Sequence, residues 1–92
     1  MYLTNEDRTF QNISATTSAF TLLGGQYGIQ VTATFGGGNV ALQRLSPDGS
    51  TWVQIQNFTV AGYINQYLPP GQYRFAVTTA TAVYAECKTI PF

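Results

Sequence analysis

Leu68-Pro69-Pro70-Gly71-Gln72-Tyr73-Arg74-Phe75-Ala76-Val77 is the stretch whose reading decides the fold of this chain. The two prolines remove two backbone donors and hold φ near the polyproline value, so neither a helix nor a central strand runs through them. Gly71 follows where a Pro-Gly turn favours glycine. From Gln72 onward Tyr73, Phe75 and Val77 alternate with Gln72, Arg74 and Ala76, the period-two pattern of a half-buried strand. A turn therefore launches a strand with a large apolar inner face, and the stretch reads as the late hairpin of a sheet that needs a partner layer.

The rest of the chain supplies that layer. Phe20 and Leu22 make a short strand closed by Gly24-Gly25. Tyr27, Ile29, Val31, Ala33 and Phe35 then face one way, and Gly28, Gln30, Thr32 and Thr34 the other. Gly28 within this run marks a bulge or a close backbone approach. Gly36-Gly37-Gly38-Asn39 reads as a hairpin loop rather than a phosphate cradle, because no Lys-Ser/Thr sequel and no helix follow it. Val40 to Leu45 is the next strand, and Ser46-Pro47-Asp48-Gly49-Ser50 is a turn built from turn-forming residues. In Thr51 to Gln56, Val53 and Ile55 share one face and Trp52, Gln54 and Gln56 the other. Later strands run to Leu68 and from Thr81 to Lys88, where Val83, Ala85 and Cys87 alternate with Ala82, Tyr84, Glu86 and Lys88.

About seven to eight short strands with turns every 8–12 residues or so, and no helical period, predict an all-β fold. The expected architecture is a small antiparallel β-sandwich, jelly-roll or Ig-like, over residues 17–92. Residues 1–16 form an extended N-terminal arm that can pair at a sheet edge, with Tyr2, Leu3, Phe10 and Ile13 as anchors.

Composition narrows the function. The chain has 92 residues and no histidine, and Cys87 is its one cysteine. An intrachain disulfide is therefore ruled out, and neither a zinc site nor another metal site or cofactor is expected. Asp48 has no neighbouring carboxylates for a calcium cage. Serine or cysteine catalysis lacks its usual base, and the carboxylates are not paired for hydrolysis, so a non-enzyme is expected. Four cations and four anions sum to zero, which gives no basic footprint for nucleic acid. No apolar run reaches membrane-spanning length, and Met1-Tyr2-Leu3-Thr4-Asn5 has the look of no secretory signal. Only 9% of residues are charged, against about 25% in an average soluble domain. A near-neutral surface resists association weakly, which suits a protein that works assembled. Aromatic residues make up 14% of the chain, more than a small core readily takes in.

The segments Gly24-Gly25-Gln26-Tyr27-Gly28-Ile29-Gln30-Val31-Thr32-Ala33-Thr34, Val40 to Trp52, Leu68 to Val77 and Ala82-Val83-Tyr84-Ala85-Glu86 together resemble the small structural proteins of tailed bacteriophages. The resemblance runs from about Phe20 to Pro91. It implies a capsid decoration, or cement, protein that binds the outside of the head, staples neighbouring major capsid protein subunits, and is made in the bacterial host cytoplasm. It further implies a homotrimer, with a dimer as the alternative. The resemblance carries over no functional residue; contacts to capsid or to a second copy are expected from the arm and the aromatic rim, at Tyr2, Leu3, Arg8, Phe10, Trp52, Tyr63 and Tyr67. The competing reading is a carbohydrate-binding module of a tail spike or fibre, with Trp52 and exposed tyrosines stacked on sugars.

Overall fold

The computed structural model describes residues 8–90; Tyr2 and Leu3, like Pro91 and Phe92, lie outside the described residues. The fold is all-β. Its strands are β1 (Arg8–Ile13), β2 (Phe20–Leu22), β3 (Gly25–Thr34), β4 (Asn39–Leu45), β5 (Trp52–Phe58), β6 (Gly62–Leu68), β7 (Gly71–Thr78) and β8 (Thr81–Thr89). They form two four-stranded antiparallel sheets, ordered β1-β8-β3-β6 and β2-β7-β4-β5. The chain pairs β1 with β8, β2 with β7, β3 with β6 and β4 with β5. A long antiparallel ribbon has thus been wound up until β3 meets β8 and β4 meets β7. That is the jelly-roll member of the expected pair of sandwich folds.

The part of the arm that is described, Arg8–Ile13, is an edge strand on β8. Beyond it, the Thr17 N–H donates to the Phe75 carbonyl, and the Thr17 and Thr16 hydroxyls accept from the N–H groups of Phe75 and Val77. Side-chain oxygens there take over from a strand too short to finish its ladder.

Two loop readings are corrected by this winding. Gly36 to Asn39 and the Pro69-Pro70 corner do not close hairpins; each carries the chain from one sheet to the other. Local turn chemistry is the same for a hairpin and for a sheet-to-sheet crossing, and only pairing distinguishes them. Among the connections between the described strands, β4 to β5 alone stays within a sheet. There Asp48 accepts from the N–H groups of Ser50 and Thr51 and from the Thr51 hydroxyl, while Gly49 takes φ 79°.

These hydrogen bonds, led by that from Ser50, hold the Asp48 carboxyl below its ordinary value. A carboxylate depressed in the folded state adds stability above its unfolded pKa, and that stability is lost as pH falls through the folded one. Asp48→Asn should therefore flatten the acid limb of stability below about pH 4. Urea midpoints measured down that limb test this; equally steep loss in both proteins would remove the role assigned to Asp48.

The core lies between the sheets. Tyr27, Ile29 and Val31 of β3 and Val83, Ala85 and Cys87 of β8 face Val40 and Leu42 of β4, Tyr73 and Phe75 of β7, and Phe20 and Leu22 of β2. The alternations read in β2, β3, β7 and β8 hold. That in β5 does not. Leu42 pairs with Gln56 but Gln43 pairs with Gln54, so Ile55 is the extra residue of a bulge. The phase shifts beyond the bulge, where Gln56 pairs with core-facing Leu42. Ile55 packs against the core, and Val53, on the side of Arg44 and Tyr73, is left 50% exposed on this edge strand.

The winding also repeats itself. Leu22, Gly25, Gln26, Tyr27, Val31 and Thr32 recur 46 residues later as Leu68, Gly71, Gln72, Tyr73, Val77 and Thr78. In both copies a glycine follows a sheet-to-sheet corner, and the tyrosine hydroxyl donates back to a carbonyl four residues upstream, Leu23 or Pro69. Such a bond ties the corner to the strand it launches, as in the tyrosine corner of other sandwiches. The two corners touch, Gly24 against Pro70. Replacing each strand by the one four places along the chain, cyclically, converts one sheet order into the other. Arg44 completes the second corner by donating to the Pro70 carbonyl at 2.9 Å.

Candidate functional site

Period-two alternation leaves each sheet with an outward face, and the two faces differ. On the first sheet, β6 presents Tyr63, Asn65 and Tyr67, β3 presents Gln26, Gln30 and Thr32, and β8 presents Tyr84, Glu86 and Lys88. The three tyrosines are 56%, 67% and 49% exposed. Tyr63 and Tyr67 stand four residues apart on one strand, about 13 Å. Tyr84 lies two strands across, at about 10 Å laterally. The face is thus broad, aromatic and amide-rich, with one charge of each sign on β8.

Gly28 explains how Tyr63 is set. A Cβ at this position would lie 2.6 Å from the Tyr63 hydroxyl oxygen and 3.1 Å from its ring, so the phenol occupies space that only a glycine leaves open. The approach at Gly28 is therefore that of a side chain rather than of another backbone, and β3 pairs through it on both sides without a bulge there. The Tyr63 hydroxyl donates to Asn65 Oδ1 at 2.7 Å, a second restraint on the ring. An aromatic ring immobilised before binding presents contact area at little further entropic cost.

The outward face of the second sheet centres on Trp52, paired with Leu45 at the end of β5. The Arg74 guanidinium stacks on the indole at 4.4 Å from the ring centroid and donates to Gln43 Oε1 at 2.7 Å. Arg74 is therefore a fixed part of this face, and it covers the side of Trp52 on which it sits. Asn39 donates to Asn57 at 2.6 Å farther along the same face.

Of the residues expected to make contacts, Tyr63 and Tyr67 come together on one face, and Trp52 lies on the opposite side of the sandwich. Phe10 turns inward. Its ring centroid is 5.6 Å from that of Phe20 and 5.8 Å from that of Phe75, so it seals the core edge. Arg8 sits over the Phe20 ring at 5.9 Å. Tyr84, Asn65 and Gln30 complete the tyrosine face and were absent from the expected contact set. Their signal was present in the alternation of β8 and β6, but assigning them to one face required the order of β8, β3 and β6.

An open groove of about 440 Å³ runs along the β1–β2 connection, lined by Phe10, Ile13 and residues 14–18. Among the described residues no three His, Cys, Asp or Glu side chains gather as a metal site. Cys87 is fully buried between the sheets. No family model, no curated protein and no solved structure matches this chain.

Proposed function

We propose that the chain is a bacteriophage capsid decoration protein that binds the outside of the head through its tyrosine face and stabilises neighbouring major capsid protein subunits. The observation that carries this reading is the face itself: three exposed tyrosines on a rigid sheet, one of them locked over Gly28, among neutral amides and threonines. Aromatic residues that lose little freedom on binding are the usual anchors of protein interfaces. A jelly roll is an architecture used by virion proteins and by lectins, which is support by analogy of fold. Contacts repeated over a symmetric shell reinforce one another, so each copy needs only moderate affinity.

The test is co-sedimentation with heads prepared without this protein from the phage that encodes it. Tyr63→Ala and Tyr84→Ala should each weaken binding by about 10-fold or more, in the range of interface anchors. Occupancy unchanged in both variants would count against this face as the capsid contact.

The same face favours a second reading, because tyrosines flanked by amides are also a platform for sugar rings. Since Arg74 covers one side of Trp52, the tyrosines rather than the tryptophan would carry that activity. Saturable binding on a glycan array, abolished by Tyr67→Ala, would select a tail-fibre carbohydrate module over a capsid protein.

A further inference from the structure

Four strands lie at sheet edges, and three of them are blunted against pairing. β1 carries Arg8 and breaks register between Phe10 and Ile13, where Asn12 takes φ 54°. β2 is only three residues long. β5 is bulged at Ile55. β6 has none of these defences. Its seven residues, Gly-Tyr-Ile-Asn-Gln-Tyr-Leu, contain no charge and no proline. They pair with β3 in unbroken register from Val31↔Gly62 to Gly25↔Leu68. Among the described residues no strand pairs with the outer edge of β6, which therefore offers a row of unpaired N–H and C=O groups, the usual template for another strand. Val60, two residues before β6, is 71% exposed.

The sequence of β6 also says what fits. Its outward residues are symmetric about Asn65, with Tyr63 matching Tyr67, while Ile64 lies across from Gln66 and Gly62 from Leu68. Antiparallel pairing of β6 with a second β6 about a two-fold axis at Asn65 sets Tyr63 opposite Tyr67 of the other copy, and Asn65 opposite itself. Cross-strand aromatic pairs and facing amides are favourable neighbours, and no like charges meet. Such a contact is self-complementary and closes after two copies.

We infer that the chain forms a dimer by β6–β6 pairing, joining two four-stranded sheets into one eight-stranded sheet that carries both tyrosine faces on one side. This goes beyond the capsid reading and does not depend on it; it replaces the three-fold assembly implied by the phage resemblance with a two-fold one. It also doubles the aromatic face, so that one dimer could span two capsid subunits.

The inference is tested on the whole chain by sedimentation equilibrium and by cysteine cross-linking. The wild-type chain should sediment as two copies. Asn65→Lys, which sets like charges face to face at the axis, should weaken self-association at least about tenfold. Asn65→Cys should form an interchain disulfide on mild oxidation, because facing residues in an antiparallel pair have Cα atoms about 4.5–5.5 Å apart, within disulfide reach. Tyr63→Cys should not, since its two copies would be about 13 Å apart. Circular dichroism on each variant verifies the fold. A monomer or a trimer at all concentrations would overturn the inference. So would a dimer untouched by Asn65→Lys, or equal cross-linking of the two cysteine variants. Failure of the dimeric wild-type chain to bind heads would count against the capsid reading and leave the β6–β6 pairing standing.

Discussion

Gly38→Ala is expected to destabilise the protein by roughly 3 kcal/mol or more, the cost of forcing a methyl group into space already filled. A Cβ built on Gly38 would lie 1.8 Å from the Thr78 carbonyl oxygen and 2.7 Å from Thr79 Cβ. The obstacle is backbone, so no side-chain rotation relieves it. Gly38 leads into β4, whose Asn39 pairs with Thr78 at the end of β7. The β3–β4 and β7–β8 corners can touch only if one of them lacks a side chain. Thr79 adds to the constraint, because it holds φ 66°, a conformation unusual for a β-branched residue. Gly37→Ala is the control: φ there is 83° but a Cβ would meet nothing within 4 Å. Its cost should be only the roughly 1–2 kcal/mol of a left-handed alanine. Urea unfolding of the two variants separates close approach from backbone preference. A Gly38→Ala loss no greater than that of Gly37→Ala would overturn the contact. A domain of this size is stabilised by about 5–14 kcal/mol in total, so the effect is large.

The second large effect is expected from Phe75→Ala, at about 3–5 kcal/mol. Phe75 is fully buried on β7, an inner strand of its sheet, and its ring meets Phe10 at 5.8 Å and Phe20 at 6.0 Å. The cavity opens where β1, β2 and β7 converge, a region closed by only three residues of β2 and by the Thr16–Thr17 hydrogen bonds. Phe10→Ala should cost less, because Phe10 is only partly buried. A double-mutant cycle between Phe10 and Phe75 should show coupling of about 0.5–1.5 kcal/mol, the excess of an edge-on aromatic pair over its buried area. Strict additivity would mean that Phe10 does not pack as described. The outcome also bears on function, for it decides whether Phe10 is a structural residue or one free to dock elsewhere.

Much of the architecture was legible in the chain, because a buried strand face imposes period two on consecutive residues. Tyr27-Ile29-Val31, Phe20-Leu22 and Val83-Ala85-Cys87 are local statements, and each lies on the core side as its alternation implies. The exception, Gln56, shows the limit. A bulge adds one residue without any glycine or proline to announce it, and the alternation slips at the residues beyond it. Turn residues had a similar limit. Gly36 to Gly38 and Pro69-Pro70 end a strand for local steric reasons, but whether the chain then returns to its own sheet or crosses to the other depends on which strands it finally pairs with.

The β-class, most of the core and a near-neutral, aromatic-rich composition are legible in the chain alone. The chain also contains the repeat at 46-residue spacing, whose meaning as two matching corners emerges only once Tyr27 and Tyr73 are seen bonding back to Leu23 and Pro69. The tertiary structure alone decided which aromatic residues share a surface. Tyr63 and Tyr84 are separated by twenty residues of sequence, yet β3 brings them to one face, while Trp52 is carried to the opposite side and stacked under Arg74. The reason is physical: alternation along a strand says which residues lie on the same side of that strand, but hydrogen bonding between strands distant in sequence sets the neighbours. The undefended edge of β6 has the same origin, since a strand is an edge only through the absence of a second partner.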